Sequence, residues 1–170
     1  YCGPMATRTL SALVLLAAPL SAQTQLPFPA VATLQQEESL ELVQDHDLLD
    51  ALAEEQGVVV LQGAPLPGGG VVDLELTRIE FDPGSVGVHV DGRPRVHDAG
   101  NLSLWKGSAV GVPGSDVFMA FSSLGSYGWV YDGLEYTHLS ATTPASGDWN
   151  ESGARIFSDR ALRATGERDR

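Results

Sequence analysis

The chain has 170 residues, with 22 acidic against 10 basic side chains, a formal net charge of −12 and one cysteine, Cys2. A surface of that sign repels nucleic acid and anionic lipid, so neither is expected as a partner. With its only thiol at the second position, the body of the chain has no disulfide, thiol nucleophile or thiolate ligand, and its stability must come from packing.

Residues 1–4 precede Met5 and read as upstream frame. Met5 opens a short basic region containing Arg8, and an apolar run from Leu10 to Leu20 follows, well short of the roughly 20 residues a membrane-spanning helix needs. With the small residues Ser21 and Ala22 behind it, residues 5–22 have the design of a signal peptide cleaved after Ala22. The protein is therefore expected to be secreted or periplasmic, with no membrane attachment after cleavage. Residues 23–38, rich in Gln, Pro, Ala and Thr without a sustained period, read as a flexible leader or an extended edge segment.

From Asp45 or Asp47, either a fair N-cap, the residues Leu48, Leu49, Ala51, Leu52 and Ala53 recur at helical spacing until Gly57, which predicts one short helix near 47–56. Val58 to Leu61 is a brief β-branched run, and Ala64 to Gly70, with Pro65, Pro67 and three glycines, is a loop. Beyond it the period becomes two: Val72, Leu74 and Leu76 alternate with Asp73, Glu75 and Thr77. Ile79 and Phe81 then carry apolar character on the other parity, which predicts a bulge or twist near Arg78. Turn signals follow at short intervals, among them Asp91-Gly92, Pro113-Gly114, Gly125 and Asp132-Gly133, with short apolar segments between them. Asp132-Gly133, between Trp129-Val130-Tyr131 and Leu134-Glu135-Tyr136, reads as a hairpin with a two-residue type I′ turn. The expected fold is all-β, an antiparallel sandwich or barrel-like domain over residues 39–150 with one short N-terminal helix. Residues 151–170, arginine-rich with few large apolar side chains, read as a linker to a downstream domain.

Catalytic signatures are missing. There is no His-Glu-x-x-His to present two zinc ligands one helical turn apart, no Gly-x-Ser-x-Gly, and no phosphate-binding glycine loop ending in Lys. His89, Asp91, His97 and Asp98 could gather around a metal, but a polar strand end is the commoner meaning of such a run, and Asp45-His46-Asp47 is accounted for by helix capping. Asp73, Glu75 and Glu80 read as a solvated strand face rather than a glycosidase pair. Trp105, Tyr127, Trp129, Tyr131, Tyr136 and Trp149 read mainly as core and cross-strand partners, with a sugar-stacking platform as the competing reading. Asn101 and Asn150 head glycosylation sequons. No catalytic, cofactor-binding or metal-ligating residue is assigned.

The order of features from Val71 to Leu139 resembles the propeptide domain that precedes the catalytic domain of secreted reprolysin or adamalysin-type zinc metallopeptidases. An alternating strand, Val71 to Phe81, comes first, and a Val-rich strand ending at Asp91-Gly92 follows. Trp105 to Ser115 then leads into Val117 to Phe121, and Gly125 to Tyr136 closes the block. The resemblance maps the family's two glycine-containing scaffold blocks onto Gly111, Ser115, Val117, Gly125, Gly128 and Val130, and the Tyr of its final hairpin onto Tyr136; Trp129, Asp132 and Gly133 complete the structural motif through the hairpin reading above. It implies a domain that is no enzyme by itself and that assists the folding, docking or latency of a downstream catalytic domain of the same polypeptide. Many members block the catalytic zinc with a propeptide cysteine; the absence of any cysteine from Ala6 to Arg170 sets this chain apart and favours folding or docking over a thiolate switch. The alternative is a stand-alone secreted binding module for glycans or cell-surface partners, which should gather several Trp or Tyr rings on one exposed face.

Overall fold

Alternation that puts Leu74 and Leu76 on one side and Asp73, Glu75 and Thr77 on the other can be satisfied only where one sheet face is covered, and in the structure it is. A computed structural model describes residues 23–36, 38–82, 88–90, 93–95, 101–142 and 153–166. In chain order the elements are β1 (Thr24–Pro27), β2 (Ala30–Gln35), β3 (Ser39–Gln44), α1 (His46–Glu54), β4 (Val58–Pro65) and β5 (Val71–Ile79). They continue with β6 (Val88–Val90), β7 (Arg93–Arg95), β8 (Ser103–Ala109), β9 (Asp116–Phe121), β10 (Tyr127–Tyr131), β11 (Tyr136–Thr142), β12 (Gly153–Ser158) and α2 (Asp159–Gly166).

Ten strands form one sheet in the order β1-β4-β5-β8-β9-β10-β11-β12-β3-β2, and β6 pairs with β7 in a separate ribbon. All neighbours in the large sheet are antiparallel except β1 and β4. The sheet curls into a half-barrel. Its two edge strands, β1 and β2, are consecutive in the chain and joined only by Phe28 and Pro29, so the edges must converge at that end, within the reach of three peptide units, about 11 Å. Phe28 N–H donates to Gln62 O beside one edge, while Pro29 O accepts from Asp45 N–H beside the other.

The interior of the curl holds the core. Leu40, Leu42, Val59, Leu61, Leu74, Leu76, Trp105, Val117, Met119, Phe121, Val130, Leu139 and Ile156 form one buried cluster with Leu49 and Leu52 of α1. The helix begins where its sequence says it should, with Asp45 Oδ1 accepting from Leu48 N–H at 3.1 Å. Its C-terminal carbonyls are gathered by one side chain: Arg78 Nη1 donates to Leu52 O at 3.3 Å, Ala53 O at 3.1 Å and Glu55 O at 3.2 Å.

Several expectations need correction. The fold is mostly β as expected, and of the two expected forms the single curled sheet is akin to the barrel-like one and not the sandwich. The pairing of β5 with β8 runs without a register shift through Arg78. Arg78 keeps the inward parity of Leu74 and Leu76, its guanidinium lying 5.2 Å over the Trp105 ring, so an inward arginine mimics a parity switch. The bulge lies instead on β4, where Gln62 and Gly63 oppose Asp73; Gly63 has φ +73° and donates its N–H to Asp73 Oδ1 at 2.8 Å. Residues 24–27 and 30–35 form the two edge strands β1 and β2, whose weak apolar pattern reflects their edge positions. Within the expected linker, β12 fits between β11 and β3 and α2 follows; only Ala154 and Ile156 of β12 are buried, too few to register as a period.

Candidate functional site

Strand β10 decides which aromatic rings can meet a partner. Val130 faces the core and is buried, so Tyr127, Trp129 and Tyr131 must project from the outer face. Register then lines up their neighbours: Phe118 on β9, Trp129 on β10, His138 on β11 and Phe157 on β12 are successive cross-strand partners, with Tyr131 and Tyr136 paired directly in the next tier. The Phe118 and Trp129 rings stack at 4.8 Å between centroids, as do those of Tyr131 and Tyr136, tilted by 32°. His138 lies 6.0 Å from Tyr136 and 5.5 Å from Phe157, near-parallel to both. Rings spaced like the strands that bear them stand on the sheet and cover one another's faces, so they offer edges outward.

The expected hairpin joins β10 and β11, but through four residues, Asp132 to Glu135, since Tyr131 pairs with Tyr136. An Asx turn replaces the two-residue turn: Asp132 Oδ1 accepts from Leu134 N–H and Glu135 N–H, both at 2.8 Å, and Gly133 has φ +97°. The Tyr131 hydroxyl donates to Gly133 O at 2.8 Å. This leaves Leu134 on a braced tip, 92 % exposed, beside a cleft of about 480 Å³ that Glu135, Asp159, Arg160 and Arg163 complete.

The two N–H donors hold the Asp132 carboxyl below the usual aspartate range. A carboxyl depressed in the folded state stabilises it above the unfolded value, near 3.9, and that contribution is lost as pH falls through the folded value. Protection of the Leu134 and Glu135 amides, taken relative to their intrinsic exchange rates at each pH, should therefore fall below about pH 4 in the parent but show no such step in Asp132→Asn. Equal pH profiles would show that the carboxylate does not brace the tip.

His138 Nε2 and Asp159 Oδ1 are 2.7 Å apart. The pair ties β11 to the start of α2, alongside Glu135 Oε1, which accepts from Arg160 N–H at 3.1 Å. Among the described residues no serine or threonine bonds to this imidazole, and no group of three His, Cys, Asp or Glu side chains could hold a metal. Asp91, His97, Asp98 and Trp149, and the side chain of His89, lie outside the described residues. Asp73 serves the β4 bulge and Glu75 accepts from Gln23 Nε2, while Glu80 is exposed. Asn101 is half-buried, its amide bridging Asp50 Oδ1 and Ser123 N–H. No described helix is long and apolar enough to cross a membrane.

The remaining motif residues are placed as structural parts. Ser115 Oγ accepts from Ala109 N–H at 2.9 Å and donates to Val112 O at 2.7 Å, closing the turn in which Gly111 has φ +77°. Val117 is in the core, and Gly125 has φ +147° in the turn before β10. Trp105 is fully buried and so leaves the candidate aromatic face. Phe118, Leu134, His138 and Phe157 join that face without any sequence signal of their own. Comparison with known proteins finds no family model, no curated protein and no solved structure that matches this chain.

Proposed function

We propose that the chain is an exported, non-catalytic docking domain whose outer face on β9 to β12, with the Leu134 tip, binds a protein partner. The observation that carries this is the set of seven ring side chains turned out of the core, Phe118, Tyr127, Trp129, Tyr131, Tyr136, His138 and Phe157, with Tyr127 at 55 % and Tyr136 at 40 % exposure at its margins. Aromatic contact area ringed by charges, here Lys106, Asp116, Glu135 and Arg160, is the make-up of protein-binding hot spots. The partner we assign is the catalytic domain of a zinc metallopeptidase carried on the same polypeptide, on the strength of the resemblance across residues 71–139. Without a cysteine in reach of a catalytic zinc, docking serves folding or steric cover.

Rings gathered on one face also favour the glycan-binding alternative. Sugars, however, stack on free ring faces, and here Phe118 covers Trp129 and Tyr136 covers Tyr131. Edge-on rings suit apolar side chains of a protein better.

Tyr136→Asp tests the reading, because the side chain is exposed enough to be exchanged without opening the core. Calorimetric titration against the catalytic domain should show binding weakened at least about tenfold, with the melting temperature within a few degrees of the parent. Equal affinity for parent and variant would overturn the reading, and binding of oligosaccharide lost in Tyr136→Asp would replace it with the glycan one.

A further inference from the structure

From Gln23 to Gln36 the chain carries no charged side chain, although its net charge is −12. That neutral segment supplies both edges of the large sheet. The two edges are not equivalent. β1 is four residues long, ends in Pro27 and is tied to the segment after α1 by Thr24 Oγ1 donating to Glu55 Oε2 at 3.1 Å. β2 is six residues long and free of proline, and from Val31 to Gln35 every side chain is exposed. Edge strands in stable monomers are usually guarded by Lys, Pro or inward charges, and β2 has none of these. Its one irregularity, a bulge at Thr33, bends the strand without ending it: pairing with β3 resumes at Leu34. Val31 at 66 %, Leu34 at 50 % and Val43 at 53 % exposure add an apolar flank.

We infer that β2 pairs antiparallel with β2 of a second copy of this chain, continuing the sheet across a two-fold axis. Two copies of one acidic chain repel wherever their charged faces approach, and β2 is the strand edge at which backbone groups can meet with no like charges between them. A strand edge is complementary to itself when antiparallel, so a second copy supplies the missing N–H and C=O partners in register. A single added strand pair makes a small interface, so the association is expected to be weak and reversible. Its salt dependence is distinctive. Remote repulsion is screened as the Debye length shrinks from about 8 Å at physiological ionic strength, so dimerisation should strengthen with salt, the reverse of an association driven by ion pairs.

Sedimentation equilibrium of the chain from residue 23, at about 0.05 M and about 0.5 M NaCl, tests this. A monomer–dimer equilibrium that tightens at the higher salt is expected. Val31→Lys with Leu34→Lys should weaken it at least about tenfold. Because these changes lower the overall negative charge, lost dimerisation cannot be put down to greater repulsion. Val31→Lys alone should weaken it severalfold, and it serves if the double variant melts early. A parent monomeric up to about 1 mM overturns the inference. So does a dimer that both variants leave intact, or one that Tyr136→Asp abolishes, since that would place self-association on the aromatic face.

Discussion

Gly107→Ala is expected to cost on the order of 4 kcal/mol, a large part of the stability of a domain this size. The residue has no turn to make; it sits in the middle of β8, between Leu76 of β5 and Val117 of β9. A Cβ there would lie 1.9 Å from Glu75 O and 3.0 Å from Leu76 Cα, which are backbone atoms that cannot swing away. On β10, Gly128 has the same character, with a Cβ 2.3 Å from Phe118 O and 2.6 Å from Met119 Sδ. Bare backbone at these two points lets neighbouring strands fold in on each other, which is how glycines inside strands admit curvature. Gly133 at the hairpin tip is different: the nearest atom to its Cβ would be Pro113 O at 4.0 Å, so Gly133→Val costs only the strain of a positive φ, about 1–3 kcal/mol. Urea midpoints of the three variants should rank Gly107→Ala and Gly128→Ala far below Gly133→Val. A Gly107→Ala domain that unfolds with the parent would mean that the sheet does not curl through β8.

The second large effect is expected at Trp105→Ala, about 3–5 kcal/mol, against about 1 kcal/mol for Trp129→Ala. Trp105 is fully buried and supports Arg78, whose guanidinium lies 5.2 Å over the ring and whose Nη1 holds the last carbonyls of α1. Burial pushes the Arg78 guanidinium pKa down, so the ring under it and the carbonyls before it are what keep a cation in that position. Removing the indole therefore opens a cavity and loosens the helix at once. Trp105→Phe should cost clearly less, because a ring remains and the indole Nε1, which has no hydrogen-bond partner among the described residues, is removed with no such bond lost. Trp129 is half-buried on the outer face, stacked on Phe118, and its loss exposes little. Thermal melts of the two alanine variants should differ accordingly; equal shifts would place Trp129 in the core and remove the aromatic face.

That contrast shows what the sequence could and could not reveal. Alternation identified β5, the Asp45/Asp47 pair the start of α1, and Asp132-Gly133 the hairpin, because each depends on neighbours a few residues apart. The rank of the tryptophans depends on pairings between distant strands. Trp129 and Trp105 look alike in sequence, and only the parity of Val130 on β10 and of Ala109 on β8 separates outer face from core. The aromatic tier was invisible for the same reason: Phe118, His138 and Phe157 become neighbours of Trp129 through register alone. Arg78 misled because a charged residue pointing inward imitates a change of face. The sequence leaves β1 and β2 open between a leader and an edge segment, because a strand paired on one side needs little apolar pattern.

The proposed division between an inner face that folds and an outer face that docks is tested most directly by covalent surface footprinting of the chain, alone and mixed with the catalytic domain proposed as its partner. Tyr127, Trp129, Leu134 and Tyr136 are expected to lose labelling in the mixture, while Val71, 71 % exposed on β5, keeps it. Unchanged labelling of those four residues alongside protection of another surface would contradict docking through the aromatic face.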